Sequence, residues 1–217
     1  MLEIIFEDNH QLVVNKPTGL LTQPGGTEQD SLEERAKQWI KVNHQKPGNV
    51  YLHAAHRLDK PVSGIVLFAR TSKALSRLNA SMRDKRSQKQ YLAMVEGNLS
   101  NDQNWLEHFL IHGDHQAHVA QASHPNAVLA RLHYRVLKRQ DNRTLLEVTL
   151  DTGRYHQIRV QLAAIGHPIL GDARYGGRIP YHNGAIALHH HRLQIPHPIT
   201  DELQTFIAPT PSAWLML

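Results

Sequence analysis

Residues 56–70 read His56-Arg57-Leu58-Asp59-Lys60-Pro61-Val62-Ser63-Gly64-Ile65-Val66-Leu67-Phe68-Ala69-Arg70. One acid, Asp59, lies beside two cations, Arg57 and Lys60. A tight turn follows at Pro61 and Ser63-Gly64. The apolar run Ile65 to Ala69 then predicts a buried strand. An aspartate in a loop at a strand mouth, next to positive charge, is expected to stay ionised at neutral pH, because opposite charge favours the charged form. An ionised carboxylate can act as a nucleophile or a base. On charge pattern alone, a solvated surface loop with an i,i+2 charge pair is the commoner reading.

Working outward, Thr71-Ser72 caps a helix that runs to about Lys85, with Ala74, Leu75, Leu78 and Met82 at helical spacing. It ends in a basic run, Arg83, Lys85, Arg86 and Lys89. Upstream, residues 3–7 and 11–15 read as a strand pair around Glu7-Asp8-Asn9-His10. A Lys16-Pro17-Thr18-Gly19 turn and a loop through Gly25-Gly26 follow. Ser31-Leu32-Glu33-Glu34 is a capping box, so Ser31 to about His44 is expected to be helical. A polar linker then leads to the Asp59 loop. Downstream, strands are expected at 88–96, near 105–111, 116–121, 128–138 and 143–151. A helix is expected from Arg154 or Tyr155 to Ile165, stopped by Gly166. A Pro/Gly/His-rich loop, a strand near 185–193 and a short strand near 203–207 complete the chain.

Strands outnumber helices, and many neighbours can pair as hairpins. This predicts an α+β fold with a mixed, mostly antiparallel sheet flanked by a few helices. With 217 residues the chain is one large domain or two small ones. No repeat, low-complexity tract or convincing linker divides it, so residues 1–217 read as a single domain. A mean hydropathy of −0.45 and the lack of any apolar run near the roughly 20 residues that span a bilayer predict a soluble protein with no membrane association. The start has no basic n-region, so no signal peptide is expected, and a cytoplasmic location follows. Cysteine is absent. That excludes disulfides, thiolate metal sites and a cysteine nucleophile. A formal net charge of +5 points to an acidic partner, with nucleic acid the commonest.

Two further segments could carry chemistry. One is Lys89-Gln90-Tyr91. The other is Gly153-Arg154-Tyr155-His156-Gln157-Ile158-Arg159, which opens a helix with two arginines and a histidine. Cations are unfavourable at the positive end of a helix dipole. The arginines therefore suggest an anionic partner, either a carboxylate of this chain or a phosphate; an exposed, solvated helix start is the alternative. The run His189-His190-His191 puts His189 and His191 on one strand face. Two imidazoles could bind zinc, but no carboxylate stands at ligand spacing and there is no His-Glu-x-x-His. A polar strand face or phosphate contacts is the preferred reading, and no metal is expected. Gly25-Gly26 and Gly176-Gly177 fit no phosphate-loop spacing and read as turns.

Taken together, these segments resemble the RluA-type pseudouridine synthases. His56-Arg57-Leu58-Asp59 followed by Ser63-Gly64 is similar to that family's signature loop. Lys16-Pro17 with Gly19 resembles its opening motif, Lys89 to Gly97 with Tyr91 its tyrosine strand, and Gly153 to Arg159 its arginine helix. Pro168-Ile169-Leu170-Gly171-Asp172 with Tyr175-Gly176 resembles the segment after that helix. Five matches fall in the family's order over roughly residues 3 to 195. Val62 departs from the usual threonine, and Gln161 from a histidine that often follows the arginine. Neither is the expected nucleophile, so these departures bear on substrate preference. The chain begins almost at its first expected strand, which leaves no room for the N-terminal S4 RNA-binding domain of some relatives.

The resemblance implies isomerisation of a uridine in ribosomal or transfer RNA to pseudouridine. The C1′–N1 bond breaks, the uracil turns while held, and it rejoins through C5. Asp59 would either attack C1′ or take the 2′ proton. Arg159 would hold that carboxylate ionised. Tyr91 would stack on the base and act near C5. Arg57 would fill the space left by the flipped base, a vacancy that suits a guanidinium plane. Ile158 would pack against the uracil, and His56, Arg154 and His156 would join the substrate-binding set. The reaction involves no net redox change and no hydrolysis, so no cofactor is expected. The expected partner is RNA and the expected state a monomer. The alternative is a non-catalytic protein of the same fold that binds or folds structured RNA; it would tolerate loss of Asp59. A metal-dependent hydrolase built on the histidines is a third reading.

Overall fold

The structure, a computed structural model, describes residues 2–182 and 184–214. Along the chain its elements are β1 (Glu3–Glu7), β2 (Gln11–Lys16), α1 (Leu32–Asn43), β3 (His53–Ala54), β4 (Ser63–Ala69), α2 (Ser72–Arg83), β5 (Gln88–Glu96), β6 (Gln103–His112), β7 (Ala117–Ala120), β8 (Val128–Gln140), β9 (Arg143–Leu150), α3 (Gln157–Ala164), β10 (Leu188–Pro196) and β11 (Leu203–Ile207), with short 3₁₀ turns at Ala173–Tyr175 and Ser212–Trp214. This is an α+β fold, and every strand pair whose register follows is antiparallel. The chain groups into two compact units. The first comprises residues 1–88 and 190–209, and the second residues 89–189 and 210–217.

In the first unit the strand order is β1-β2-β4-β10, with β11 added to β10 and β3 to β4. The Asp8 carboxylate closes the β1–β2 hairpin by accepting from the His10 and Gln11 amides, each at 2.7 Å. β2 then pairs with β4 from Gln11↔Ala69 to Lys16↔Gly64. Both are interior strands, which explains why Leu12 to Val14 and Ile65 to Ala69 are apolar without alternation: all are fully buried. Helix α2 covers one face. Ala74 and Leu78, with Leu75 and Met82 partly buried, pack on Val13, Ile65, Leu67, Leu193 and Phe206. The Thr71 side chain caps α2 by accepting from the Ala74 amide at 3.1 Å. Ser31 caps α1 by accepting from the Glu34 amide at 3.3 Å, while the Glu34 carboxylate turns to Lys37 at 2.8 Å. Gly64 is required by crowding: a Cβ there would strike the His190 main chain.

In the second unit the order is β5-β9-β8-β6-β7. Pairing β5 with β9 puts Tyr91 opposite Val148 and Lys89 opposite Leu150. Helix α3 packs through Val160 on Leu110, Ala117 and Ala130. The fully buried Gln161 side chain donates to the carbonyls of Leu106 and Ala130, each at 3.2 Å.

Three boundaries differ from expectation. The polar linker before the Asp59 loop contains β3, whose two residues pair with Phe68 and Ala69; so short a bridge has no periodicity to read. Helix α3 starts at Gln157, not at 154 or 155. The Gln157 carboxamide reaches back to accept from the Arg154 amide at 2.9 Å and from Thr152 Oγ1 at 2.8 Å, and His156 takes a left-handed φ of 52°. β10 begins at Leu188, not near 185, because the Ala187 amide is bonded to the Leu170 carbonyl at 2.9 Å. Among the described residues no helix is long and apolar enough to cross a membrane.

Candidate active site

In the first unit the Asp59 loop is held from below. Leu58 and Val62 are buried pegs on either side of the partly exposed Asp59. Thr22 Oγ1 accepts from the Leu58 amide at 3.1 Å and donates to the Leu58 carbonyl at 2.9 Å. The Val62 amide closes the turn onto the Asp59 carbonyl at 3.0 Å, and the Gly19 amide donates to the Lys60 carbonyl at 2.8 Å. Beneath the loop lies Lys16, fully buried. Its ammonium donates to the carbonyls of Pro17 (2.9 Å), Leu20 (2.7 Å) and Lys60 (3.2 Å). Burial lowers its pKa to about 7, and the negative charge of Asp59 works in the opposite direction. The two cations named from sequence behave differently. Lys60 turns outward to Glu28 at 2.7 Å, while Arg57 is exposed. Sequence reasoning therefore missed Lys16 as the buried cation near Asp59. The local signal is the Lys-Pro-x-Gly turn, at which β2 ends on Lys16. His56 is partly buried, and its Nε2 accepts from the Leu67 amide at 3.3 Å.

In the second unit the arginine helix holds an ion pair. Arg159 and Asp172 are 5% and 1% exposed. Nε meets Oδ2 at 2.7 Å and Nη2 meets Oδ1 at 2.8 Å. For Arg159, the anion expected at this helix start includes a carboxylate of the chain itself. The guanidinium also lies over the Tyr175 ring, with Cζ 5.0 Å from the centroid. The Tyr175 hydroxyl accepts from the Ala117 amide at 2.7 Å and lies 2.8 Å from His156 Nδ1. Burial raises the pKa of that hydroxyl, so it stays protonated. Neither Asp172 nor Tyr175 was among the site residues expected from sequence. Both lie in the segment matched after the helix, where no local pattern says which side chain they meet.

The remaining candidates of this unit are placed as follows. Tyr91 is 7% exposed on β5, and Ile158 is buried in the first turn of α3. His156 is buried, stacked on Tyr155 with centroids 3.8 Å apart. Arg154 is exposed, with its Nε donating to the Leu129 carbonyl at 3.0 Å.

One surface expectation changes. His189 and His190 are buried. His190 Nδ1 lies 2.8 Å from the Ile65 carbonyl and His191 Nδ1 2.9 Å from the Ala208 carbonyl. With His189 and His190 buried and His190 and His191 turned to main-chain carbonyls, the run is not an exposed polar strand face. Among the described residues no cluster of three or more metal-ligating side chains occurs. In the basic run after α2, Arg86 already pairs with Asp201 at 2.7 Å.

Comparison with known proteins adds the following. Residues 10–164 match the family described as RNA pseudouridylate synthase. The chain is 36% identical over 215 residues to the uncharacterized RNA pseudouridine synthase YhcT of Bacillus subtilis, covering 97% of this chain and 69% of that protein. It is 37% identical over 211 residues to the dual-specificity RNA pseudouridine synthase RluA of Haemophilus influenzae, covering 95% and 92%. It is 35% identical over 223 residues to the ribosomal large subunit pseudouridine synthase D of Nitrosomonas europaea, covering 97% and 62%. Among solved structures, human RNA pseudouridylate synthase domain containing 4 superposes with a TM-score of 0.82 at 22% identity, over 98% of this chain and 90% of that one. At that identity the likeness speaks for the fold.

Proposed function

Because this chain belongs to the RNA pseudouridylate synthase family, we propose that it isomerises a specific uridine in ribosomal or transfer RNA with Asp59 as the reacting carboxylate. That the chain is an RNA pseudouridine synthase, an isomerase acting on RNA, follows from the family. The named residues and the choice of RNA are our reading. Asp59 attacks C1′ or removes the 2′ proton, and the C1′–N1 bond breaks. The uracil turns and C5 bonds to C1′, which in the first case displaces the Asp59 carboxylate from C1′ and in the second is accompanied by return of the proton from Asp59 to C2′; the C5 proton then leaves as N1 gains one. Tyr91 supports the base by stacking, Arg159 supplies the guanidinium charge, and Arg57 enters the space of the flipped nucleotide. Ile158 packs against the uracil, with His56, Arg154 and His156 supporting the bound RNA.

The observation that carries this reading is the construction of the Asp59 loop. Buried pegs and the Lys16 ammonium fix its main chain, while Asp59 as a residue stays partly exposed. A surface loop with an incidental charge pair needs no such support. Relatives named for the large ribosomal subunit and for dual specificity support the RNA class. A single catalytic domain, a monomer and a cytoplasmic location belong to the same proposal. The test is to map pseudouridine in total RNA from cells with and without this protein. One or a few positions in ribosomal or transfer RNA should revert to uridine, and reintroduced Asp59→Asn should not restore them. Restoration by Asp59→Asn would remove Asp59 from the mechanism.

A further inference from the structure

We propose that Lys89 is a substrate-binding residue, whose ammonium receives a phosphodiester of the RNA next to the uridine held by Tyr91. The inference rests on the reading that Tyr91 faces that uridine. β5 pairs with β9 in unbroken register from Lys89↔Leu150 to Glu96↔Arg143. Side chains alternate along a strand, so Lys89 and Tyr91 share one face, about 7 Å apart at their Cα atoms. Register neighbours on that face are apolar: Leu150 across from Lys89, Val148 across from Tyr91, and Leu132 beyond Leu150.

Lys89 is partly buried there. Among the described residues no carboxylate or carbonyl accepts from its ammonium. Desolvation alone lowers its pKa to about 8. A lysine that merely lays its stem along an apolar strand keeps its head in water. Here the stem lies on an apolar strand face beside Tyr91 and, among the described residues, the ammonium has no acceptor, so holding the charge there disfavours the folded state. An anion brought by the substrate would relieve it, and the nearest anions to a base stacked on Tyr91 are the phosphates of its own strand. Lys16, which is fully buried, shows the contrast: its three donors are all satisfied by carbonyls.

The opposing chemical reading is that Lys89 is a proton acceptor for C5. The two readings differ in sign. Phosphate binding needs the ammonium, so kcat/KM should fall as pH rises through about 8, the free-protein pKa. A base would make kcat/KM rise over the same range.

The probe is a synthetic stem-loop RNA spanning the mapped uridine, used with the full chain. At pH 7, Lys89→Met should lower kcat/KM about tenfold, mostly through KM, and reduce the log-log salt slope of Kd by about 0.7 to 0.9, one phosphate contact. Its melting temperature should equal or exceed wild type, because Met keeps the apolar contacts of the stem and removes a partly buried charge that has no acceptor among the described residues. Lys89→Arg should keep most of the activity and lose the alkaline fall.

Wild-type Kd and salt slope in Lys89→Met would overturn the proposal. So would inactivity of Lys89→Arg at unchanged Kd, or a drop in melting temperature that accounts for the loss. Tyr91→Ala run in parallel separates the two readings. If Tyr91→Ala is fully active, the placement of the uridine is wrong. If it is impaired while Lys89→Met is normal, only the present inference fails.

Discussion

Arg159 and Asp172 form a buried bidentate pair, at 2.7 and 2.8 Å, that fixes the guanidinium plane at the start of α3. The Tyr175 ring lies against that plane. An arginine held on a carboxylate at two points has its remaining donors aimed in one direction. This is the kind of support a side chain needs if its charge is to serve a reaction.

Removing one partner of such a pair leaves an uncompensated buried charge. Asp172→Ala should therefore destabilise the protein by about 3–5 kcal/mol, read by chemical denaturation at pH 7. Asp172→Asn keeps one acceptor and should lose less. Arg159→Lys should recover little of the activity lost in Arg159→Ala, since an ammonium cannot reproduce the fork. An Asp172→Ala variant as stable as wild type would mean that the pair contributes nothing net.

Asp59→Asn is close to isosteric, and the Asp59 carboxyl is not one of the loop's buried pegs. Its melting temperature should fall by no more than a few degrees at pH 7, because Asn keeps the side-chain volume while the lost charge no longer offsets the burial of the Lys16 ammonium. RNA affinity should be retained, with no pseudouridine formed on the mapped stem-loop. Turnover near the wild-type rate would sink the catalytic assignment.

Lys16 makes stability depend on pH in a defined direction. Its folded pKa is about 7, against 10.5 for the free side chain. Below pH 7 both states are protonated, and the folded state carries the full burden of the buried charge. Between pH 7 and 10.5 the unfolded state binds more protons, so stability rises with pH through that window. At about 1.4 kcal/mol per pKa unit the span is on the order of 5 kcal/mol. Lys16→Met should flatten this rise relative to wild type in denaturation series from pH 6 to 10. Parallel curves for the two proteins would show that Lys16 stays charged throughout.

Tyr91→Ala and Tyr91→Phe should separate stacking from proton transfer. Base-aromatic stacking is worth about 1–3 kcal/mol by alanine substitution, so Tyr91→Ala should weaken both binding and turnover. Tyr91→Phe keeps the ring and should bind RNA normally. If the hydroxyl serves the late step at C5, this variant accumulates a rearranged or enzyme-bound intermediate, visible by denaturing gel or mass spectrometry of the RNA. Wild-type behaviour of Tyr91→Phe would limit Tyr91 to stacking, and wild-type behaviour of Tyr91→Ala would place it outside the site.

Much of this molecule is legible along the chain, because the signals are local. Ser31 and Thr71 cap helices at the positions their side chains require. The unbroken apolar run after Gly64 reads as a buried strand, and Gly64 itself lies where a neighbouring main chain comes too close for a Cβ. The ordered set of short motifs was enough to bring out the family. Local rules failed where a side chain overrode them. Gln157 took over the cap of α3 and moved its start, and the histidine run was drawn inside to brace carbonyls.

What only the tertiary structure decided is which charge meets which. The sequence shows Arg57 and Lys60 next to Asp59, yet Lys60 pairs outward with Glu28 and the buried ammonium near Asp59 belongs to Lys16. It shows two arginines at a helix start, yet only folding brings Asp172 beneath Arg159 and leaves Lys89 desolvated beside Tyr91. The sequence by itself determined the order of strands and helices, the family and the candidate residues, because propensity, caps and turns act within a few residues. The pairing and desolvation of charges depend on distances through space and on exclusion of water, and no spacing along the chain encodes either.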